Sequence, residues 1–273
     1  ELSVAVEHAN NFTAGRSDGA RAYLDGTTTV TSLTLRGSGG RSLEWGLEVP
    51  LVQHSGGSTD GLIDGFHELF GLPDGGRGAA PRDALEYRLV RDGRTVAYVG
   101  ERRRHLGDLR GWLGYRLADA PGRQSAVRVL VKAPTGRIDD LSGSEGTDLA
   151  LWWEMHDRRW LEDGGVAVTM MAGVTVTGNH ALAGVDRQPL VASGHLGFHY
   201  PVSADVSLHA QLDGHSDILD AELPQLAQAA ALGTLGATWR WSSTRWLDVS
   251  LTEDLTTRSA PDVVFRMAVG SRF

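Results

Sequence analysis

The stretch DVVFRMAVGSRF, residues 262–273, decides how this chain is read. Its alternate positions Val263, Phe265, Met267, Val269, Ser271 and Phe273 are uncharged and mostly apolar. The positions between them, Asp262, Val264, Arg266, Ala268, Gly270 and Arg272, are small, polar or charged. Neighbouring side chains of a strand point to opposite faces, so the segment has one greasy face and one mixed face.

The pattern recurs along the chain. LEWGLEVPL sets Leu43, Trp45, Leu47, Val49 and Leu51 against Glu44, Gly46, Glu48 and Pro50. DLALWWEMH, VAVTMMAGVTV and ADVSLHAQLD repeat it, with Leu151, Val168 and Leu208 on the apolar side and Glu154, Thr169 and His209 on the other. A soluble sandwich alternates too, but three features point elsewhere. The apolar faces carry almost no charge. The segments run to about nine to eleven residues, the length of a tilted strand crossing a bilayer. Short connectors such as RDGR (91–94) and YPVS (200–203) alternate with long ones near 9–25, 53–82, 134–146, 177–187 and 214–231. Backbone polar groups in hydrocarbon must pair internally, so a sheet can span only as a closed barrel.

These features predict one all-β domain over 1–273, an antiparallel up-and-down transmembrane β-barrel with short periplasmic turns and long extracellular loops. Strands fall near 1–8, 26–36, 42–52, 84–91, 94–101, 108–118, 125–133, 147–156, 165–176, 189–200, 203–213, 232–241, 245–253 and 262–273. That makes fourteen strands, or twelve if the weakly alternating hairpin at 84–101 lies in a loop. Trp45, Tyr87, Tyr115, Trp153, Phe198, Tyr200, Trp239, Trp241 and Phe273 fall on the apolar face, as interfacial girdles would. Val168 and Leu208 are expected to face lipid.

Composition agrees. The 273 residues include no Cys, which excludes thiol chemistry, disulfides and Cys-ligated metal. A formal charge of −8 without a basic tract argues against nucleic acid. No run reaches the ~18 apolar residues of a membrane helix. The chain begins at Glu1 and not at Met, so removal of a signal peptide on export to the bacterial outer membrane is expected.

Two long loops carry helical patterns. In 59–72, Leu62, Ile63, Phe66, His67, Leu69 and Phe70 form a short amphipathic helix, either a constriction in the barrel mouth or a cap on its rim. A second helix is expected within Leu219–Ala231. HSGGSTDGLIDGFHELFGLPDGGR (His54–Arg77), KAPTG (Lys132–Gly136) and EDLTTRSAPDVVF (Glu253–Phe265) together resemble a proteobacterial outer-membrane family known as a domain of unknown function. That resemblance implies location and barrel architecture and no catalytic residues. In size and loop design the chain is also similar to outer-membrane channels for small molecules.

The inward face is expected to hold Glu44, Glu48, Arg110, Arg116, Arg128, Lys132, Asp148, Glu154, His156, His195, His199, Asp205, His209, Arg240, Asp248 and Arg266. Their mixed signs suit a narrow pore lining or an ion-pair network filling the lumen. With a turn centred on Val202, His195 would face His209 and His199 would face Asp205, a pair that lacks a third ligand for a metal. His54 and Ser55 suggest a lipid hydrolase, but adjacent strand residues face opposite sides. RRRH (Arg102–His105) at the long-loop rim matches lipopolysaccharide phosphates. The sequence thus predicts a passive pore for small solutes that requires no cofactor. Its partners are outer-membrane lipid, lipopolysaccharide and, through the last strand, the assembly machinery. A non-conducting structural or surface-interaction barrel is the alternative, and a lipid hydrolase ranks below it.

Overall fold

The computed structural model of the protein describes residues 1–17, 19–56, 83–161, 165–178, 181, 185–220, 223, 228–256, 261 and 263–273. Its strands are β1 (Leu2–Arg16), β2 (Ala20–Gly39), β3 (Leu43–Ser55), β4 (Glu86–Arg91), β5 (Arg94–Val99), β6 (Arg103–Leu106), β7 (Arg110–Ala120), β8 (Arg123–Lys132) and β9 (Asp148–Leu161). They continue with β10 (Val166–Val176), β11 (Asp186–Arg187), β12 (Leu190–Pro201), β13 (Val206–His215), β14 (Leu219–Asp220), β15 (Ala230–Trp239), β16 (Arg245–Asp254) and β17 (Val263–Ser271).

Twelve of these close into an antiparallel barrel in the order β1-β2-β3-β7-β8-β9-β10-β12-β13-β15-β16-β17, with β17 paired back onto β1 from Leu2↔Ser271 to Asn10↔Val263. The count of fourteen is therefore corrected to twelve. The lower part of β2 pairs with β3, and its upper end, Ala20–Asp25, pairs with β4. The β4–β5 hairpin thus extends a sheet standing above the wall. The long loop expected at 9–25 is mostly strand as well, because β1 and β2 stay paired up to Arg16↔Arg21. Within the second helix expected at Leu219–Ala231, Leu219–Asp220 instead pairs with Asp186–Arg187. The helix expected at 59–72 lies outside the described residues.

The outer face is apolar and open. Leu33, Leu47, Leu151, Leu208, Val249 and Met267 are exposed, and Leu113 and Leu235 reach 68% and 69%. A soluble protein would bury such a continuous surface, and hydrocarbon stabilises it. Trp45, Tyr115, Trp153, Phe198, Tyr200, Trp239, Trp241 and Phe273 are all exposed. Tyr87 departs from the expectation: it is buried, bonds Asn11 and Thr28 through its hydroxyl, and stacks edge-on against His54 at 5.3 Å. Val168 departs too. It carries the outward parity but is only 2% exposed, beside a register shift in the β9–β10 pairing.

Large inward side chains are accommodated by glycines on adjacent strands. Trp112 lies opposite Gly46, and a Cβ added at Gly46 would come within 1.9 Å of its indole ring. Trp152 covers Gly173 in the same way, with 2.6 Å left for a Cβ. The rings lie along the wall instead of standing across the lumen.

Candidate functional site in the barrel lumen

Inward residues of successive strands join into a polar belt. On one side Arg116 bonds Glu44 at 2.9 Å and Asp119 at 3.1 Å, while Arg128 bridges Glu44 at 3.2 Å and Glu154 at 2.8 Å. Arg36 lies over the Trp112 ring at 5.4 Å. Opposite them the His156 and His199 rings stand 6.5 Å apart, and those of His199 and His209 5.8 Å apart. His195 pairs with Asp213 at 2.7 Å, and Thr169 of β10 lies within hydrogen-bond distance of both His195 and His199. Asp248 lies 3.7 Å from His209, accepts a bond from Thr238 at 2.6 Å, and pairs with Arg266, which also bonds Glu7.

The guanidinium half and the imidazole half meet across a cavity of about 420 Å³, lined by Glu44, Arg116, Arg128, Glu154, His156, His195 and His199 among others. Arg116, Glu44, Arg128 and Glu154 keep 29–32% of their side-chain surface open. The space between them is open to solvent and not closed off by their pairing. Solvent at these groups screens the pairs, so each contributes little stability.

The expected site residues divide by position. Glu48 and Arg110 pair at 3.0 Å on the inner face, and Lys132 and Asp148 lie nearer the long-loop rim. Asp205 and Arg240 are corrected: both are exposed in short turns, joined by the Arg240 N–H donating to the Asp205 carbonyl. The expected His195–His209 pairing is corrected as well. His199 faces His209, and His195 faces Asp213. Pro201 stays in the strand, and the Ser203 hydroxyl accepts from the Asp205 and Val206 N–H groups, which moves the turn past Val202. Among the described residues, no group of three His, Asp or Glu side chains could hold a metal ion. His54 faces inward and meets the Thr28 hydroxyl at 3.0 Å, while Ser55 opens on a different cavity, so the two share no proton. Residues 59–72, with Leu62, Ile63, Phe66, His67, Leu69 and Phe70, lie outside the described residues.

The predicted site set left out Glu7, Arg36, Asp213 and Arg187. Glu7, Arg36 and Asp213 carry the inward parity of their strands, Arg36 alternating with outward Leu33 and Leu35, whereas Arg187 takes its position from loop folding.

At the long-loop rim the 133–147 segment is tied down from inside the barrel. Asp108 accepts from the Gly136 N–H at 2.9 Å, the Ser144 N–H at 3.0 Å and Lys132 at 2.8 Å. Asp148 accepts both arms of Arg187 at 2.9 Å and the Gly178 N–H at 2.8 Å. Burial opposes ionisation of Asp108, but Lys132 and the two N–H groups outweigh it and hold the carboxyl below the usual carboxylate range. A lowered folded pKa stabilises above the unfolded value, near pH 4, and that stabilisation is lost as pH falls through the folded value. The 133–147 segment is therefore expected to resist pepsin at pH 4.5 and to be cut near pH 2, with Asp108→Asn cut at both.

A family model described as a protein of unknown function (DUF3187) matches residues 1–273. The chain belongs to the DUF3187 family. No curated protein matches it. Among solved structures, this DUF3187 chain is similar to the COG4313 outer membrane channel from Pseudomonas putida F1, at 13% identity and TM-score 0.63, covering 100% of this chain and 94% of that one. It is also similar to the NanC porin, at 8% identity and TM-score 0.58, with 100% of both chains covered. A third likeness is to the KdgM porin in complex with disordered oligogalacturonate, at 8% identity and TM-score 0.51, with 99% of both covered. At these identities the likeness establishes the fold: this DUF3187 protein is an outer-membrane-type barrel.

Proposed function

We propose that this DUF3187 protein is an outer-membrane channel for passive diffusion of small polar solutes. The observation that carries this reading is the open, mixed-charge cavity between the guanidinium and imidazole halves of the belt. Pairing of both signs on the wall favours hydrated solutes of low net charge over strongly charged ions. The channel and porin neighbours support conduction without naming this chain's solute.

Single-channel recording of the refolded protein in a planar bilayer tests it. Steady conductance is expected, and silence would leave the non-conducting barrel as the better description. His156, His199 and His209 face one another in the belt. A fixed positive charge placed there by His199→Arg is expected to shift the reversal potential toward anions, and an unchanged reversal potential would place the selective part of the lumen elsewhere.

A further inference from the structure

The outer wall ends in a basic surface at its long-loop rim. Antiparallel pairing of β6 with β3 puts Arg104 opposite Gln53 and Leu106 opposite Leu51. Leu43 and Leu47 mark this parity of β3 as lipid-facing, so Arg104 emerges on the outside, one step above exposed Leu106. Arg102, Arg103 and Arg104 are all exposed, and none has an ion-pair partner among the described residues. Beside them an outward cavity of about 430 Å³ is lined by His8, Thr29, Gln53, Ser55 and Arg102. These side chains sit on three adjacent strands, where Thr29 pairs with both His8 and Gln53.

The height of this surface follows from the strand. Between Leu43 and Gln53, β3 climbs about 25 Å at a rise of about 3.3 Å per residue and a tilt of about 40°, the height of a barrel's apolar band. The polar row therefore begins where hydrocarbon ends on the long-loop side. Arg102 and Arg104, without an ion-pair partner among the described residues, make this rim a positive surface on a chain of net charge −8. Arg103, opposite inward His54, has the other parity. Guanidinium forks match phosphate oxygens, and hydroxyl and amide groups match sugar.

We infer that Arg102 and Arg104, with the His8–Thr29–Gln53 depression, bind the phosphorylated sugar headgroup of an outer-leaflet glycolipid. The inference rests on the outer-membrane placement of the barrel and is independent of conduction. Native mass spectrometry of the full chain in detergent tests it, with bisphosphorylated lipid A, dephosphorylated lipid A and phosphatidylglycerol as probes. Bisphosphorylated lipid A is expected to bind about tenfold or more tighter than the dephosphorylated form, and the preference should fall with salt. The double variant R102A/R104A should lose the preference while conductance stays unchanged. Equal binding of the two lipid A forms, or a preference that survives in the double variant, would overturn the assignment. Binding of phosphatidylglycerol as tight as that of bisphosphorylated lipid A would overturn it too, by showing a surface for any anionic lipid. If the double variant does not refold, the lipid comparison on the unaltered protein decides alone. A silent barrel that keeps the lipid preference would end the channel reading and leave this one standing.

Discussion

Replacing Leu212 with Arg is expected to cost the barrel about 2–4 kcal/mol in lipid, whereas Arg at the adjacent Gln211 should cost under about 1 kcal/mol. The two neighbours on β13 face opposite media. Leu212 is 49% exposed on the outer face, so a guanidinium there must reach the interface or sit in hydrocarbon. Gln211 points inward opposite Gly197, where a longer polar side chain stays on the lumen side among Thr169 and His195 and out of hydrocarbon. The midpoints of urea-dependent refolding into liposomes measure the difference. Equal costs would overturn the assignment of these two neighbours to opposite media, and reversed costs would mean that the inside and outside of the wall have been exchanged.

The second large effect is expected at the mouth. Asp148 and Arg187 each keep only 9% of their side chain exposed, and Lys132 keeps 12%. Asp148→Asn removes the charge that Arg187 holds with both arms, leaving a buried guanidinium without its counter-ion. Loss of one partner from such a pair costs about 3–5 kcal/mol. The paired change Asp148→Leu/Arg187→Leu removes both charges and should cost clearly less, since Lys132 keeps Asp108. Refolding midpoints of the single and paired variants check this. A paired variant as unstable as Asp148→Asn would show that packing, and not charge, holds the segment.

The barrel was legible because its physics is local. Val263, Met267 and Val269 alternate with Val264, Arg266 and Ala268, and no register is needed to see that one face belongs in lipid. Strand number was harder, since β4 and β5 have real strand character and only pairing shows that they join the upper end of β2. The lumen charges were legible from parity, but their partners were not. His199 meets His209, and not Asp205, because the Ser203 hydroxyl holds a turn beyond Val202. Arg187 reaches Asp148 from a loop, where alternation carries no information. Tyr87 failed because β4 extends β2 above the wall and turns its ring to the inner side, against Thr28 and His54. At Val168 a shifted register buries a side chain of outward parity.

The seam between β1 and β17 has a consequence in time. It pairs residues separated by nearly the whole chain, and a bond between Arg272 and Glu1 at 2.9 Å lies beside it. Every other joint in the wall links nearer strands, most of them hairpin neighbours. Loop-closure entropy grows with separation, so the seam is the contact of highest order and the last to become favourable. Until β17 is available, the growing sheet carries two bare edges, each able to pair with a foreign strand. Such a chain does not reach its final state by halves: its wall shuts in one late step.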